Sequence, residues 1–179
     1  MSLVLAAIAQ RARLGDGAIA LSDQTSAFSY GALETAIAAA ARDLFLWAPL
    51  VRPGSPIAVR LPNGAAWVIL DLALARLGWA SLPLPGFFTD AQRQHAMADA
   101  GASLLVELSD AANGDLSIAG SPLRVTPLSL PDRRLPAGTA KITYTSGSTG
   151  QPKGVCLSRQ HMEAVASSLV QAIGANYAG

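Results

Sequence analysis

"YTSGSTGQPKGV", residues 144–155, sets Gly147, Gly150 and Gly154 among the hydroxyls of Tyr144, Thr145, Ser146, Ser148 and Thr149, with Pro152 and Lys153 near its end. Glycine reaches backbone angles that other residues avoid, so successive N–H groups in such a loop can turn inward around one anion. The hydroxyls add donors, and Lys153 adds a mobile positive charge. "AKITY" before the loop and "VCLS" after it read as strands that hold its base. These features together describe a cradle for a polyphosphate.

The P-loop of nucleoside triphosphatases, G-x-x-x-x-G-K-[ST], is the obvious comparison. Counted from Gly147, it meets Pro152 where it needs glycine and Gly154 where it needs Ser or Thr. The missing hydroxyl is that loop's magnesium ligand, and Pro152 withdraws an amide donor just before the lysine. A strand, and no obvious helix, follows. Walker-type phosphate binding is rejected.

Working upstream, the chain repeats one logic. "PIAVRL" reads as a strand, "NGAAWVILDLALARLG" as a helix from near Asn63 to a closing Gly78, and "ASLPL" as a second strand. "TDAQRQHAMADAG" is a helix with a capping box, Thr89 and Gln92, closed by Gly101, and "SLLVEL" is a third strand. Strands and helices alternating over short links imply parallel pairing, hence an α/β fold with a layered, mainly parallel sheet flanked by helices. The helix over 63–77 is apolar almost all round and is expected to lie buried between the sheet and another layer. Further helices are expected over 3–14, from an N-cap at Ser29 with Leu33, Ile37, Ala40 and Leu44 on its inner face, and over 159–174. Residues 109–138 carry Pro122, Pro127, Pro131 and Pro136 among Gly, Ser, Asn and Asp, and read as loop with one short strand, "PLRVTPL".

The 179 residues suffice for one sizeable core, and residues 1–179 read as a single domain fragment. A net charge of +1 with 14% charged residues marks no nucleic-acid partner and no acidic disordered tail. The lone Cys156 forms no internal disulfide, so a reducing cytoplasm is the expected compartment. No stretch reads as a membrane span, because Asp71 and Arg76 interrupt the best candidate.

The loop resembles the phosphate-binding signature of the adenylate-forming (AMP-binding) superfamily, which includes acyl-CoA synthetases, luciferases and nonribosomal peptide synthetase adenylation domains. That signature is Tyr/Phe-Thr-Ser-Gly-Ser/Thr-Thr-Gly-x-Pro-Lys-Gly. Tyr144, Thr145, Ser146, Gly147, Ser148, Thr149, Gly150, Pro152, Lys153 and Gly154 all fit it, with Gln151 at the free position. "FSYGAL" at 28–33 is similar to the family's Thr-Tyr-x-Glu-Leu helix start, with Gly31 and Ala32 in place of its usual polar residues. "VRLPNGAAWVILDLALARLGWASLPLPG" and "FFTDAQRQHAMADAGASLLV" look like the stretches that follow in the family. Trp79 stands where the family has a small residue, Pro85-Gly86 replaces its Asn or Asp-Pro, and Ser158, Arg159, Gln160 and His161 replace Thr/Ser-His-Arg-Asn.

The resemblance implies an enzyme that activates a small-molecule carboxylic acid with ATP as an acyl-adenylate and passes it to a thiol, coenzyme A or a carrier protein's phosphopantetheine. It implies that Thr145, Ser146, Gly147, Ser148, Thr149, Gly150 and Gly154 hold ATP phosphates. Lys153 would neutralise the leaving pyrophosphate as the catalytic cation, and Ser148 or Thr149 would touch Mg2+. The family's adenine, ribose and magnesium motifs, its hinge and its C-terminal domain lie downstream of this loop. The chain therefore reads as the N-terminal part of the large domain, inactive alone, with the rest of the enzyme as its partner and self-association through apolar surface expected. Two alternatives are a non-catalytic phosphate- or nucleotide-binding module and a purely structural domain.

Outside the loop, the residues read as structural. His95 is expected on a solvated helix face, His161 in a capping or surface role, and Cys156 as a small core residue. Trp47, Trp67 and Trp79 are expected in core or edge packing, and Asp71 at partial exposure or a hydrogen bond. No metal-ligand spacing is present.

Overall fold

The computed structural model describes residues 2–15, 17–111, 113–145 and 153–177. Helices begin where a side chain meets the first free amides. Ser29 Oγ accepts the Ala32 N–H at 3.2 Å and opens α2 (Tyr30–Phe45), which follows α1 (Leu3–Leu14). Thr89 and Gln92 make the reciprocal capping box that opens α4 (Asp90–Ala100). Gly78 closes α3 (Ala65–Leu77) in the left-handed conformation, φ 73°, as an L side chain would not do without strain. The last helix, α5, spans Arg159–Tyr177. No helix among the described residues is long and apolar enough to cross a membrane.

The strands are β1 (Ile19–Ser22), β2 (Ala27–Ser29), β3 (Ile57–Arg60), β4 (Ser81–Pro83), β5 (Leu104–Leu108), β6 (Leu116–Ile118), β7 (Ser121–Pro127), β8 (Thr139–Thr145) and β9 (Lys153–Ser158). β1 and β2 form a separate antiparallel pair, and the other seven form one sheet in the order β6-β7-β5-β3-β4-β8-β9. β3 runs parallel to β4 and β5, and β4 parallel to β8, as the strand–helix alternation predicts. Antiparallel pairs extend both edges, β5–β7 and β6–β7 on one side and β8–β9 on the other. The carboxyl ends of β3, β4, β5 and β8 therefore share one edge, where open α/β sheets bind their ligands.

Strand alternation divides the interior in two. Ile57, Val59, Leu104 and Val106 join α1, α2 and α3 in the larger core, where Ile37, Leu44, Ile69 and Leu74 are fully buried. Each such side chain stabilises the fold by about 1.5–3 kcal/mol relative to exposure. The opposite face is built from Ala58, Leu82 and Ile142 against Ala96 and Ala100 of α4, small residues that let helix and sheet close up. The Pro-rich segment covers that face, since Leu128, Leu130 and Leu135 pack on it. Arg52 pins the same corner by donating to the carbonyls of Gly101 and Ala102 at 2.8 and 3.1 Å.

Residues 109–138 depart from the expected loop with one strand. They hold a hairpin, β6–β7, turned by Ala119 and Gly120 at φ 51° and 76°. Two positive φ values suit the right-handed strand twist. The helix expected from near Asn63 starts at Ala65, and its cap comes from elsewhere in the chain. Asp23, in the β1–β2 turn, accepts Thr25 and Ser26 amides on Oδ1 and the Ala65 amide on Oδ2 at 2.8 Å.

Candidate functional site

The loop of residues 144–155 is carried by a β-hairpin at the sheet edge. β8 enters it and β9 leaves it, with Thr145 opposite Lys153, Tyr144 opposite Gly154 and Thr143 opposite Val155. Thr145 and Lys153 are both exposed at the head of the paired stems, so the hairpin delivers a hydroxyl and an ammonium to the same end. Ser146, Gly147, Ser148, Thr149 and Gly150, including both expected magnesium contacts, lie outside the described residues.

The chain has two lysines, and the structure gives them opposite surroundings. Lys141, near the start of β8, pairs with Asp71 of α3 at 2.8 Å and stands 5.1 Å from the Trp67 ring centroid. Both partners of this pair are mostly buried. Lys153, beside the loop, makes no ion pair among the described residues and faces solvent. One lysine is held by the fold, and the other is available to an anion.

Behind Lys153, Tyr144 decides how β9 lies. A Cβ at Gly154 would stand 2.9 Å from Tyr144 Cζ and 3.0 Å from its hydroxyl, so only glycine lets the ring cross β9. The hydroxyl donates to Asp99 Oδ2 at 2.7 Å. The His95 ring meets the Tyr144 ring edge-on at 6.5 Å. Burial, then the hydrogen bond and charge of Asp99, and then Cys156 push the phenol above its ordinary range, so it remains a protonated donor.

A cleft of about 840 Å3 opens at the same sheet edge, lined by Arg60, Asn63, Trp67, Pro85, Gly86 and Arg93 among others. Its arginines are engaged: Arg60 with Glu107 at 3.1 Å, and Arg93 with Asp90 and the Phe88 carbonyl. Among the described residues, no group of three or more His, Cys, Asp or Glu side chains is placed to hold a metal ion.

Of the residues given structural readings, Cys156 is half-buried against the smaller core, and Trp47, Trp67 and Trp79 pack on the larger one. His161 is exposed, and its amide donates to Ser158 Oγ at the start of α5. His95 differs from expectation, being half-buried against Tyr144. Asp99 escaped notice altogether. The only local signal was its spacing four residues after His95, which puts both on one face of α4.

The family model for AMP-binding enzymes matches residues 8–177. A feruloyl-CoA synthase of Amycolatopsis is 32% identical over 162 residues, covering 86% of this chain and 33% of that protein. Component F of enterobactin synthase from Escherichia coli K12 is 34% identical over 160 residues, covering 84% of this chain and 12% of that protein. The chain thus spans a third or less of the curated relatives described. Among solved structures, VinN bound to L-aspartate superposes with a TM-score of 0.71 at 24% identity, covering 96% of this chain and 52% of that one. The o-succinylbenzoate coenzyme A synthetase of Bacillus subtilis, in complex with ATP and magnesium, gives 0.68 at 23%, covering 93% and 47%. At these identities the structural likenesses establish the fold alone.

Proposed function

The chain belongs to the family of AMP-binding enzymes, and on that premise we propose that it is the N-terminal part of the large domain of an ATP-dependent acid–thiol ligase. In the reaction proposed, a carboxylate oxygen attacks the α-phosphorus of ATP. The bond to the bridging oxygen breaks and its electron pair leaves with pyrophosphate, giving an acyl-adenylate. A thiol of coenzyme A or of a phosphopantetheine arm then takes the acyl group and releases AMP. Residues 1–179 act as part of one domain and contribute the grip on phosphate, and the remainder of the enzyme supplies the rest of the reaction.

The observation that carries this reading is Lys153, exposed at the head of a hairpin whose other stem ends in Thr145. Negative charge builds on pyrophosphate as it departs, and a fixed cation with oriented donors lowers the energy of that state. Lys153 neutralises the charge. The hydroxyls of Thr145, Ser146, Ser148 and Thr149, with the backbone amides of the glycine-rich turn, orient the phosphate oxygens. These groups fit a polyphosphate in charge and donor set. Bound Mg2+ would supply further charge neutralisation, with Ser148 or Thr149 as its contact in this chain. A soluble, cytoplasmic setting suits the substrates, and copies of the chain associate through the exposed apolar residues of α5.

Isothermal titration with pyrophosphate tests the reading. Removing a hydrogen bond to a charged partner costs about 1.5–3 kcal/mol, so Lys153→Ala should bind roughly 10- to 100-fold more weakly than the unaltered chain. Equal affinity in both, or no binding by either, would refute the assignment of the loop.

A further inference from the structure

β9 is the last strand of the sheet, and its first three residues, Lys153, Gly154 and Val155, are exposed. A hairpin end of this kind frays unless something other than its own ladder holds it. Here Tyr144 reaches from β8 across the backbone of Gly154, and its hydroxyl is tethered at 2.7 Å to Asp99 in the last turn of α4. His95, one turn earlier on the same helix face, meets the Tyr144 ring edge-on. Three elements are therefore joined at one phenol: the strand entering the loop, the strand leaving it and a helix of the smaller core.

Among the described residues, the Asp99 carboxylate accepts the phenol hydroxyl and makes no ion pair. As a nearby negative charge it would weaken phosphate binding through space, so a tether that strengthens binding must do so through geometry.

We infer that Asp99 is a positioning residue for the phosphate loop: by holding the Tyr144 hydroxyl it keeps the ring across Gly154 and fixes Lys153 in register with Thr145. This deepens the proposed function and rests on it for the identity of the anion. A lysine held in place loses less rotational freedom on meeting its ligand than one on a frayed strand, which is how a residue remote from the phosphate changes its affinity.

Pyrophosphate titrations of Asp99→Ala, Tyr144→Phe, the double variant and Asp99→Asn test the inference, alongside amide hydrogen exchange of β8 and β9. Each single removal should weaken binding about tenfold, the size expected for one hydrogen bond to a charged group. The double variant should be no weaker than either single one, because both cut the same path. Asp99→Asn, which keeps the acceptor, should recover most of the affinity. In a Lys153→Ala background, Asp99→Ala should change nothing further. A stronger affinity in Asp99→Ala, or a lower melting temperature with affinity unchanged, would overturn the inference. If the unaltered chain binds no pyrophosphate, the reading of the loop fails and the exchange data decide the tether. Faster exchange at the β8–β9 stems than in β3 and β5, in both single variants, supports it, and unchanged stem exchange ends it.

Discussion

Asp23 shows how one carboxylate joins two parts of the chain. Its Oδ1 closes the turn between β1 and β2, and its Oδ2 satisfies an amide at the start of α3. The amide of Ala65, followed by that of Thr25, holds the carboxyl at about 2, below its ordinary 3.8. A carboxyl depressed on folding stabilises the fold when ionised. Its contribution is complete above the unfolded value and is lost as pH falls through the folded one, a window from about 4 down to about 2. Asp23→Asn should melt below the unaltered chain at neutral pH, with the gap closing across that window. Circular dichroism melts at several pH values give the comparison, and a gap that stays constant to pH 2 would contradict the account. Nothing near Asp23 in the sequence pointed to Ala65, 42 positions away.

At the scale of elements, α3 carries the most consequence. Its apolar sequence placed it correctly in the interior, and Ile69, Leu70, Ala73 and Leu74 have no exposed surface. Asp71 and Arg76 are the charged residues on that helix: Arg76 pairs with Glu34 of α2, and Asp71 with Lys141 of β8, with the Trp67 ring beside the ammonium. Removing one partner of a mostly buried pair leaves an uncompensated charge, at a cost of about 3 kcal/mol. Asp71→Ala should therefore lower the urea midpoint clearly, whereas the pair Asp71→Leu with Lys141→Met should restore much of it. An Asp71→Ala midpoint equal to that of the unaltered chain would show that the pair is solvated. The β6–β7 hairpin teaches a different lesson. Pro122 and Pro127 argued for loop, yet they sit at the two ends of β7, where a missing amide is tolerated. The turn residues Ala119 and Gly120 lack the Asn-Gly or Asp-Gly signal that would have announced the hairpin.

Over the whole molecule, the surface is uneven. Val165, Leu169, Val170 and Ile173 of α5 are 54–70% exposed, and Val155 of β9 is 45% exposed. A clustered apolar face of this kind drives association in water. The sedimentation coefficient of the chain should rise with concentration, and Leu169→Glu with Ile173→Glu should hold it at the monomer value. A coefficient independent of concentration in the unaltered chain would exclude α5 as a contact between copies.

Sequence alone determined the α/β alternation, the parallel centre of the sheet, the capping box of α4 and the phosphate-loop signature. Each of these is written in neighbouring residues: periodicity, a hydroxyl three positions before an amide, or the spacing of Pro152, Lys153 and Gly154 after a glycine-rich turn. Tertiary structure alone decided which lysine is spent on the fold and which faces solvent, that Asp23 caps a distant helix, and that Asp99 reaches Tyr144. Those contacts join residues 42 to 70 positions apart. Hydrogen bonds and ion pairs act over a few ångströms, so their partners are fixed only once the sheet has brought the strands side by side.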